Sequence, residues 1–208
     1  MSIKISYAIT ACNEHEELDR LLIHLMANLP DDGWEVVVQL DHTNTSAEVL
    51  QVVESFSKYI RLIGYPLNND FAAFKNNLKD NCTGDYIFQI DADEMPSTYM
   101  IEVLPELLES NSDIELFWVP RINHVDGLTN AHAIKWRWNL DWAGRVNFPD
   151  YQARIFKNLP YIKWQRPVHE IIVGHRTESK LPTDDEWCLM HDKSIERQEM
   201  QNKFYDTL

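Results

Sequence analysis

The sequence predicts an α/β sandwich built on a mostly parallel sheet. Two observations carry that prediction. Over residues 1–110, runs rich in β-branched and aromatic residues alternate with segments whose apolar residues recur at helical spacing. The connections are short, and three of the strand-like runs lead straight into polar loops at residues 10–14, 41–45 and 91–94. In open parallel sheets ligands bind beyond the carboxyl ends of the strands, so these loops are expected to line one cleft.

The elements follow in order. Residues 3–9 read as a strand. Leu18, Leu21, Leu22 and Leu25 mark an amphipathic helix over 15–28. Pro30, Asp31, Asp32 and Gly33 form a turn. A buried strand over 34–40 carries Val36, Val37 and Val38 and ends at Asp41. Val49, Leu50, Val53 and Phe56 mark a second helix, 60–63 a short strand, and 70–80 a weaker helix. Thr83, Gly84 and Asp85 turn the chain into a strand over 86–90, and a helix follows near 99–109.

Beyond residue 110 the texture changes. Six of the seven tryptophans lie there, among short strand-like runs at 115–119, 152–156, 168–173 and 187–190. A last helical segment is expected over 194–207. Residues 1–208 thus read as one domain, with a regular half over 1–110. A smaller, partly antiparallel half over 111–208 packs on it without a linker.

Composition excludes several classes. The 208 residues are 44% hydrophobic and 25% charged, ordinary for a globular protein able to bury a sizeable core. A net charge of -14 argues against wrapping nucleic acid and against an anionic membrane surface. Cys12, Cys82 and Cys188 are widely spaced and odd in number, which points away from a disulfide framework or a structural zinc site. No apolar run approaches the roughly 20 residues of a spanning helix. The first residues read as a strand and not as a leader, so a cytoplasmic protein without stable membrane insertion is expected.

The six glycines, at 33, 64, 84, 127, 144 and 174, never come close enough to build a glycine-rich phosphate cradle. A bound diphosphate would need a cation. Asp91, Asp93 and Glu94 lie at the end of a strand-like run, and like charges at such range repel unless a cation sits among them. Alternation along an extended segment would aim Asp91 and Asp93 into the same cleft. Their hard oxygens suit Mg²⁺ or Mn²⁺. The competing reading is an acidic cap for the helix beginning near Ser97, worth roughly 0.3–1 kcal/mol. Three acids in the absence of a glycine loop favour the metal.

Taken together, several stretches resemble a known family. These are Ile9-Thr10-Ala11-Cys12-Asn13-Glu14, Asp41 after a valine-rich strand, Phe71-Ala72-Ala73-Phe74-Lys75-Asn76 and Gly84-Asp85-Tyr86-Ile87, followed by Asp91-Ala92-Asp93-Glu94 and Pro167-Val168-His169-Glu170. In that order they resemble the family 2 glycosyltransferases of GT-A fold, and within it the bacterial lipopolysaccharide-core glucosyltransferase branch. The resemblance implies a Rossmann-like α/β/α sandwich with a nucleotide-sugar half over 1–110 and an acceptor-binding and catalytic half over 111–208. It implies that Thr10, Ala11, Cys12, Asn13, Glu14, Phe71 and Ala92 line the nucleotide-sugar pocket. Asp41 would accept from uracil N3–H, although His42 stands where many relatives have a second acid. Lys75 would meet phosphate charge or the base and ribose. Asp91 would hold ribose and a metal-bound water, Asp93 would ligate the metal directly, and His191 would be a further ligand. Glu170 is the expected base, with Asp141 and Asp150 as rivals. Trp136, Trp138, Arg154 and His169 are assigned to the acceptor side. Arg154 is open between pairing with a cleft acid and touching phosphate.

The expected reaction is a metal-dependent inverting transfer, with Mn²⁺ or Mg²⁺, of a sugar from a UDP-sugar to an acceptor hydroxyl. The expected sugar is glucose. A sugar-phosphate nucleotidyltransferase also pairs an α/β nucleotide half with acidic metal ligands, but it needs a glycine-rich basic loop where Asn13, Glu14, His15 and Glu16 stand. A non-catalytic nucleotide-sugar-binding module on the same fold is the third reading, and fold alone does not decide among them.

Overall fold

A computed structural model describes residues 3–205, so the last two positions of the helix expected over 194–207 lie outside the described residues. A nine-stranded sheet forms the middle of the molecule. Its first four strands are β1 (Ile5–Ala11), β2 (Trp34–Asp41), β3 (Ile60–Tyr65) and β4 (Tyr86–Asp91). They run parallel in the order β3-β2-β1-β4. Their connections are α1 (His15–Asn28), α2 (Ala47–Ser55) and α3 (Phe71–Asp80). Two-residue β5 (Met95–Pro96) leads into α4 (Thr98–Ser110).

Side-chain parity distributes these helices. Ile5, Tyr7, Ile9, Val36, Val38, Phe88 and Ile90 face a core closed by leucines of α1, by Val49 and Val53 of α2, and by Met100, Ile101, Leu104 and Leu108 of α4. Ala8, Val37 and Ile87 point the other way, onto Ala72 and Leu78 of α3. Thr10, Gln39, Asp41 and Asp91 share that second parity, so their polar side chains emerge on the α3 face at the carboxyl ends of the strands.

The second half does not build a separate layer. Its long strand β6 (Leu116–Asp126) and β7 (Asp150–Lys157) extend the same sheet. β7 is antiparallel to both β4 and β6, which stand on either side of it. On its far edge β6 pairs in parallel with β10 (Glu178–Lys180) and with β11 (Leu189–Ser194). A separate antiparallel piece is the pair β8 (Lys163–Gln165) and β9 (Ile171–Val173), which packs Trp164 and Ile172 beside α3. The strand expected over 115–119 therefore runs seven residues further, because its polar second half, Arg121, Asn123 and His124, faces a cleft instead of a core. The run at 168–173 is strand only from Ile171, since Arg166 and His169 adopt positive φ (76° and 53°) and bend the chain. The strand read over 187–190 starts at Leu189 and extends to Ser194, where α6 (Ile195–Tyr205) takes over. Among the described residues no helix is long and apolar enough to cross a membrane.

Candidate active site

The three strand-end loops meet as expected. A cavity of about 780 Å³ is lined by Thr10, Ala11, Cys12, Asn13 and Glu14 from the first, Asp41 from the second, and Asp91, Ala92 and Asp93 from the third. Phe71 and Lys75 of α3 complete the set assigned from sequence to the nucleotide-sugar pocket. The loop after β1 is tied by Glu14, whose Oε2 accepts from the backbone N–H of Cys12 (2.8 Å) and Asn13 (3.0 Å). Asp41 is buried, and its Oδ1 accepts from Thr43 N, Thr43 Oγ1 and Leu67 N while Oδ2 accepts from Asn44 Nδ2. Burial would raise the Asp41 carboxyl, but these donors outweigh it and lower it.

A second cavity, of about 480 Å³, lies against the first. Lys75, Asp91, Asp93, Glu170 and Gln201 line both and so form a partition. The far wall comes from the faces of β6, β7 and β11, with Trp118, Trp138, Tyr151, Trp164 and His169 supplying aromatic surface. Trp136 does not line this cavity but packs on Trp138 at 4.8 Å and stacks with His132 at 5.2 Å.

Beneath the partition runs a buried charge network. Glu94 is 1% exposed, and its Oε1 accepts from Arg154 Nη2 (2.6 Å) and Arg121 Nη1 (2.9 Å). Arg154, 3% exposed, also donates from Nη2 to Asp91 Oδ2 at 2.6 Å. Thus Arg154 pairs with acids of the cleft, and Glu94 supports them from below. Neither acid caps α4, whose N-cap is Ser97. Burial would raise the Asp91 carboxyl, but the charges of Arg154, Lys75 and Arg121 outweigh it and hold it well below the ordinary carboxylate range.

Asp91 is fully engaged. Oδ1 accepts from Thr10 Oγ1 at 3.0 Å and lies 3.6 Å from Lys75 Nζ. Asp93 instead faces His191, with Oδ2 3.3 Å from Nε2. His191 Nδ1 lies 2.7 Å from Asn123 Oδ1, and Asn123 Nδ2 donates to Asp150 Oδ2 at 2.9 Å. An amide oxygen can only accept, so Nδ1 carries a proton, and Nε2 faces Asp93, donating to Oδ2 in the imidazolium and offering its lone pair to a cation in the neutral ring. That tautomer suits a metal ligand, as does the second partner that fixes it. Burial would raise the Asp93 carboxyl, but the hydrogen bond and charge of His191, then Lys193, hold it at about 2. Among the described residues no three His, Cys, Asp or Glu side chains are grouped so that they could hold a metal ion. The Asp93–His191 pair fits a nucleotide-bound Mn²⁺ or Mg²⁺, which keeps positions for phosphate oxygens and water.

Glu170 stands at the head of the loop between β8 and β9, and Lys75 Nζ donates to its Oε1 at 2.7 Å. The loop is pinned to α3 by Phe71 N donating to Pro167 O (2.9 Å) and by a reciprocal pair between Asn76 and the Trp164 backbone (2.9 Å each). Of the rival bases, Asp150 accepts from Arg121, Asn123 and Gln152. Asp141 is held by Arg145 in a turn that lines neither cavity.

Sequence reading missed Arg121, Asn123, Lys193, Arg197 and Gln201. The first two alternate along β6, and Lys193 follows His191 by two, so the signal was period-2 polarity in runs read as too short. Arg197 had no local signal. It reaches from α6 to Glu17 Oε1 (2.6 Å), Glu14 Oε1 (3.4 Å) and Asp93 Oδ2 (3.4 Å), across the mouth of the larger cavity.

A family model described as Glycosyl transferase family 2 matches residues 6–176. No curated protein was found to match. Among solved structures, residues 1–349 of TarS from S. aureus are similar at 14% identity and TM-score 0.64, covering 91% of this chain and 60% of that one. The same fragment in complex with UDP-GlcNAc matches at 15% identity and TM-score 0.64, covering 92% and 59%. Its complex with UDP matches at 14% and 0.65, covering 91% and 60%. This chain therefore spans about 60% of the length of the fragments it matches. At these identities the likeness is one of fold, and it is the GT-A fold expected from the motifs. The family match extends over well more than half of the sequence, and the chain belongs to glycosyl transferase family 2.

Proposed function

We propose that the protein is a metal-dependent inverting glycosyltransferase that moves a sugar, with glucose the first expectation, from a UDP-sugar to an acceptor hydroxyl. One observation carries this reading. Asp91, Asp93, Lys75 and Glu170 stand on the partition between a cavity lined by strand-end loops and a cavity walled by aromatic side chains. A donor held on one side and an acceptor on the other would meet at those residues from opposite directions, as direct displacement requires.

In this reading the uridine lies against the loops after β1 and β2, near Asp41. The UDP-GlcNAc and UDP complexes of TarS support a uridine donor. Arg197, half-exposed at the cavity mouth, donates to the diphosphate. Asp93 and His191 Nε2 would hold the divalent cation, and an imidazole beside a carboxylate favours Mn²⁺. When bound, the ion supplies Lewis-acid stabilisation of charge on the departing diphosphate. Glu170 takes the proton of the acceptor hydroxyl as the new C1–O bond forms and the bond from C1 to the phosphate oxygen breaks. Attack from the face opposite the leaving group inverts C1. Lys75 fixes the position of Glu170 Oε1 and of Asp91 in one stroke. The aromatic wall, with Trp138 and His169, receives the acceptor. The three free thiols support a reducing, cytoplasmic setting.

The test is a screen of UDP- and GDP-sugars with Mn²⁺, Mg²⁺ or EDTA, following release of nucleoside diphosphate. Release from a UDP-sugar that needs metal and is lost in Asp93→Ala is the expected result. Release of pyrophosphate instead would identify a nucleotidyltransferase. Glu170→Gln is expected to bind UDP normally and to lose about 10²–10⁴-fold in transfer. Full transfer by that variant would remove Glu170 as base.

A further inference from the structure

Residues 130–148 form an element whose exposed apolar and basic residues glycosyl transfer leaves unexplained. It begins with α5 (Asn130–Trp136), closed by Arg137 in the left-handed region at φ 58°. An isolated bridge pairs Leu140 with Val146, and a tight turn joins them. Asp141 braces that turn. Its Oδ1 accepts from Ala143 N and Arg145 N at 2.9 Å each, its Oδ2 from Arg145 Nε at 2.6 Å, and its carbonyl from Gly144 N at 3.0 Å. Arg145 in turn lies 3.7 Å over the Phe148 ring.

At the tip of this braced turn Trp142 is 94% exposed. Ile134 is 79% exposed and Leu140 40% exposed. A stiff turn that holds a large aromatic ring in water adds no buried apolar surface, and large apolar groups left exposed within nine residues of one another mark an interaction site. The charge of the element also runs against the rest of the chain. Within it Lys135, Arg137 and Arg145 outnumber Asp141, a net of +2 in a protein of -14, and Arg145 also meets Asp185 from outside the element at 3.3 Å, which leaves Lys135 and Arg137 as its outward charge. Lys135 and Arg137 are exposed.

We propose that residues 130–148 seat the protein on an anionic lipid surface. Trp142, Ile134 and Leu140 enter the headgroup layer while Lys135 and Arg137 meet lipid phosphates. Interfacial elements combine tryptophan and aliphatic residues with Lys and Arg in this way. The centre of a protein–protein interface, by contrast, is depleted of lysine and of charge generally. Here basic and apolar residues alternate from Ile134 to Trp138. The repulsion of the remaining acidic surface confines contact to this element and keeps it reversible. Trp138, Val146 and Asn147 of the same element wall the acceptor cavity, so docking sets that cavity beside the lipid.

The test is co-sedimentation of the full chain with vesicles of phosphatidylcholine alone or with added phosphatidylglycerol. It needs no activity, so its outcome is separate from that of the transfer reading. Binding to the anionic vesicles, weakened by salt, is expected. Lys135→Gln and Arg137→Gln should each lower partitioning about fivefold. Trp142→Ala should lower it at least as much, with an unchanged melting temperature as the folding control. Absence of binding to anionic vesicles, or binding indifferent to Trp142→Ala, overturns the proposal. So does concentration-dependent self-association that Trp142→Ala abolishes, which would assign the element to a second copy of the chain.

Discussion

The two cavities share a wall but are made in different ways. The larger is assembled from the ends of parallel strands, where each loop leaves the sheet at the same edge and brings its polar residues as a contiguous stretch. The smaller is assembled from strand faces. There Arg121 and Asn123 of β6, Asp150, Gln152 and Arg154 of β7 and His191 and Lys193 of β11 stand two residues apart along their strands. Antiparallel β7 makes this possible, because it enters between β4 and β6 with its first residues at the edge where Asp91 ends. The contrast separates a site gathered from loops from a sheet surface that can hold charges in fixed register.

The largest test of that contrast attacks the shared wall. Arg154 is buried between Asp91 and Glu94, so Arg154→Met takes from each of these carboxylates its shortest ion pair. It should cost about 3–5 kcal/mol in urea unfolding. A loss below about 1 kcal/mol would show that the wall does not depend on this pairing. Arg197→Ala acts on the loop side alone. It should weaken UDP binding by about 10–100-fold, measured by calorimetry, because a charge-assisted bond to phosphate is lost. Stability should change little, since the ion pairs it gives up are partly exposed. Equal effects on UDP and on acceptor would break the assignment of the two cavities. Trp138→Ala is the smallest test. It should raise the acceptor KM about 2–10-fold while the UDP-sugar KM holds, as loss of one aromatic contact predicts.

Much of the fold was legible because it is local. Four leucines place α1 over His15–Asn28, and valine-rich runs followed at once by Asp41 and Asp91 place two strand ends. The loop cavity was legible for the same reason, since a parallel sheet puts every strand end at one edge. The strand-face cavity was not. Its residues lie in the polar later parts of Leu116–Asp126 and Leu189–Ser194, and such stretches look like loops until both faces are known.

The amino-acid sequence by itself determined the α/β class, the loops that gather at the strand ends and the candidacy of Asp93, because each rests on a short pattern with its own physical cause, whereas His191 and Glu170 became candidates through the family resemblance. Tertiary structure decided the rest. It turned Asp91 toward Arg154 and Asp93 toward His191, although the two acids are equivalent in spacing. It gave Glu94 to Arg121 and Arg154 from strands β6 and β7. Like charges two residues apart are told apart only by the side chains that reach them from other elements, the nearest of these cations in the chain being Lys75, sixteen residues from Asp91.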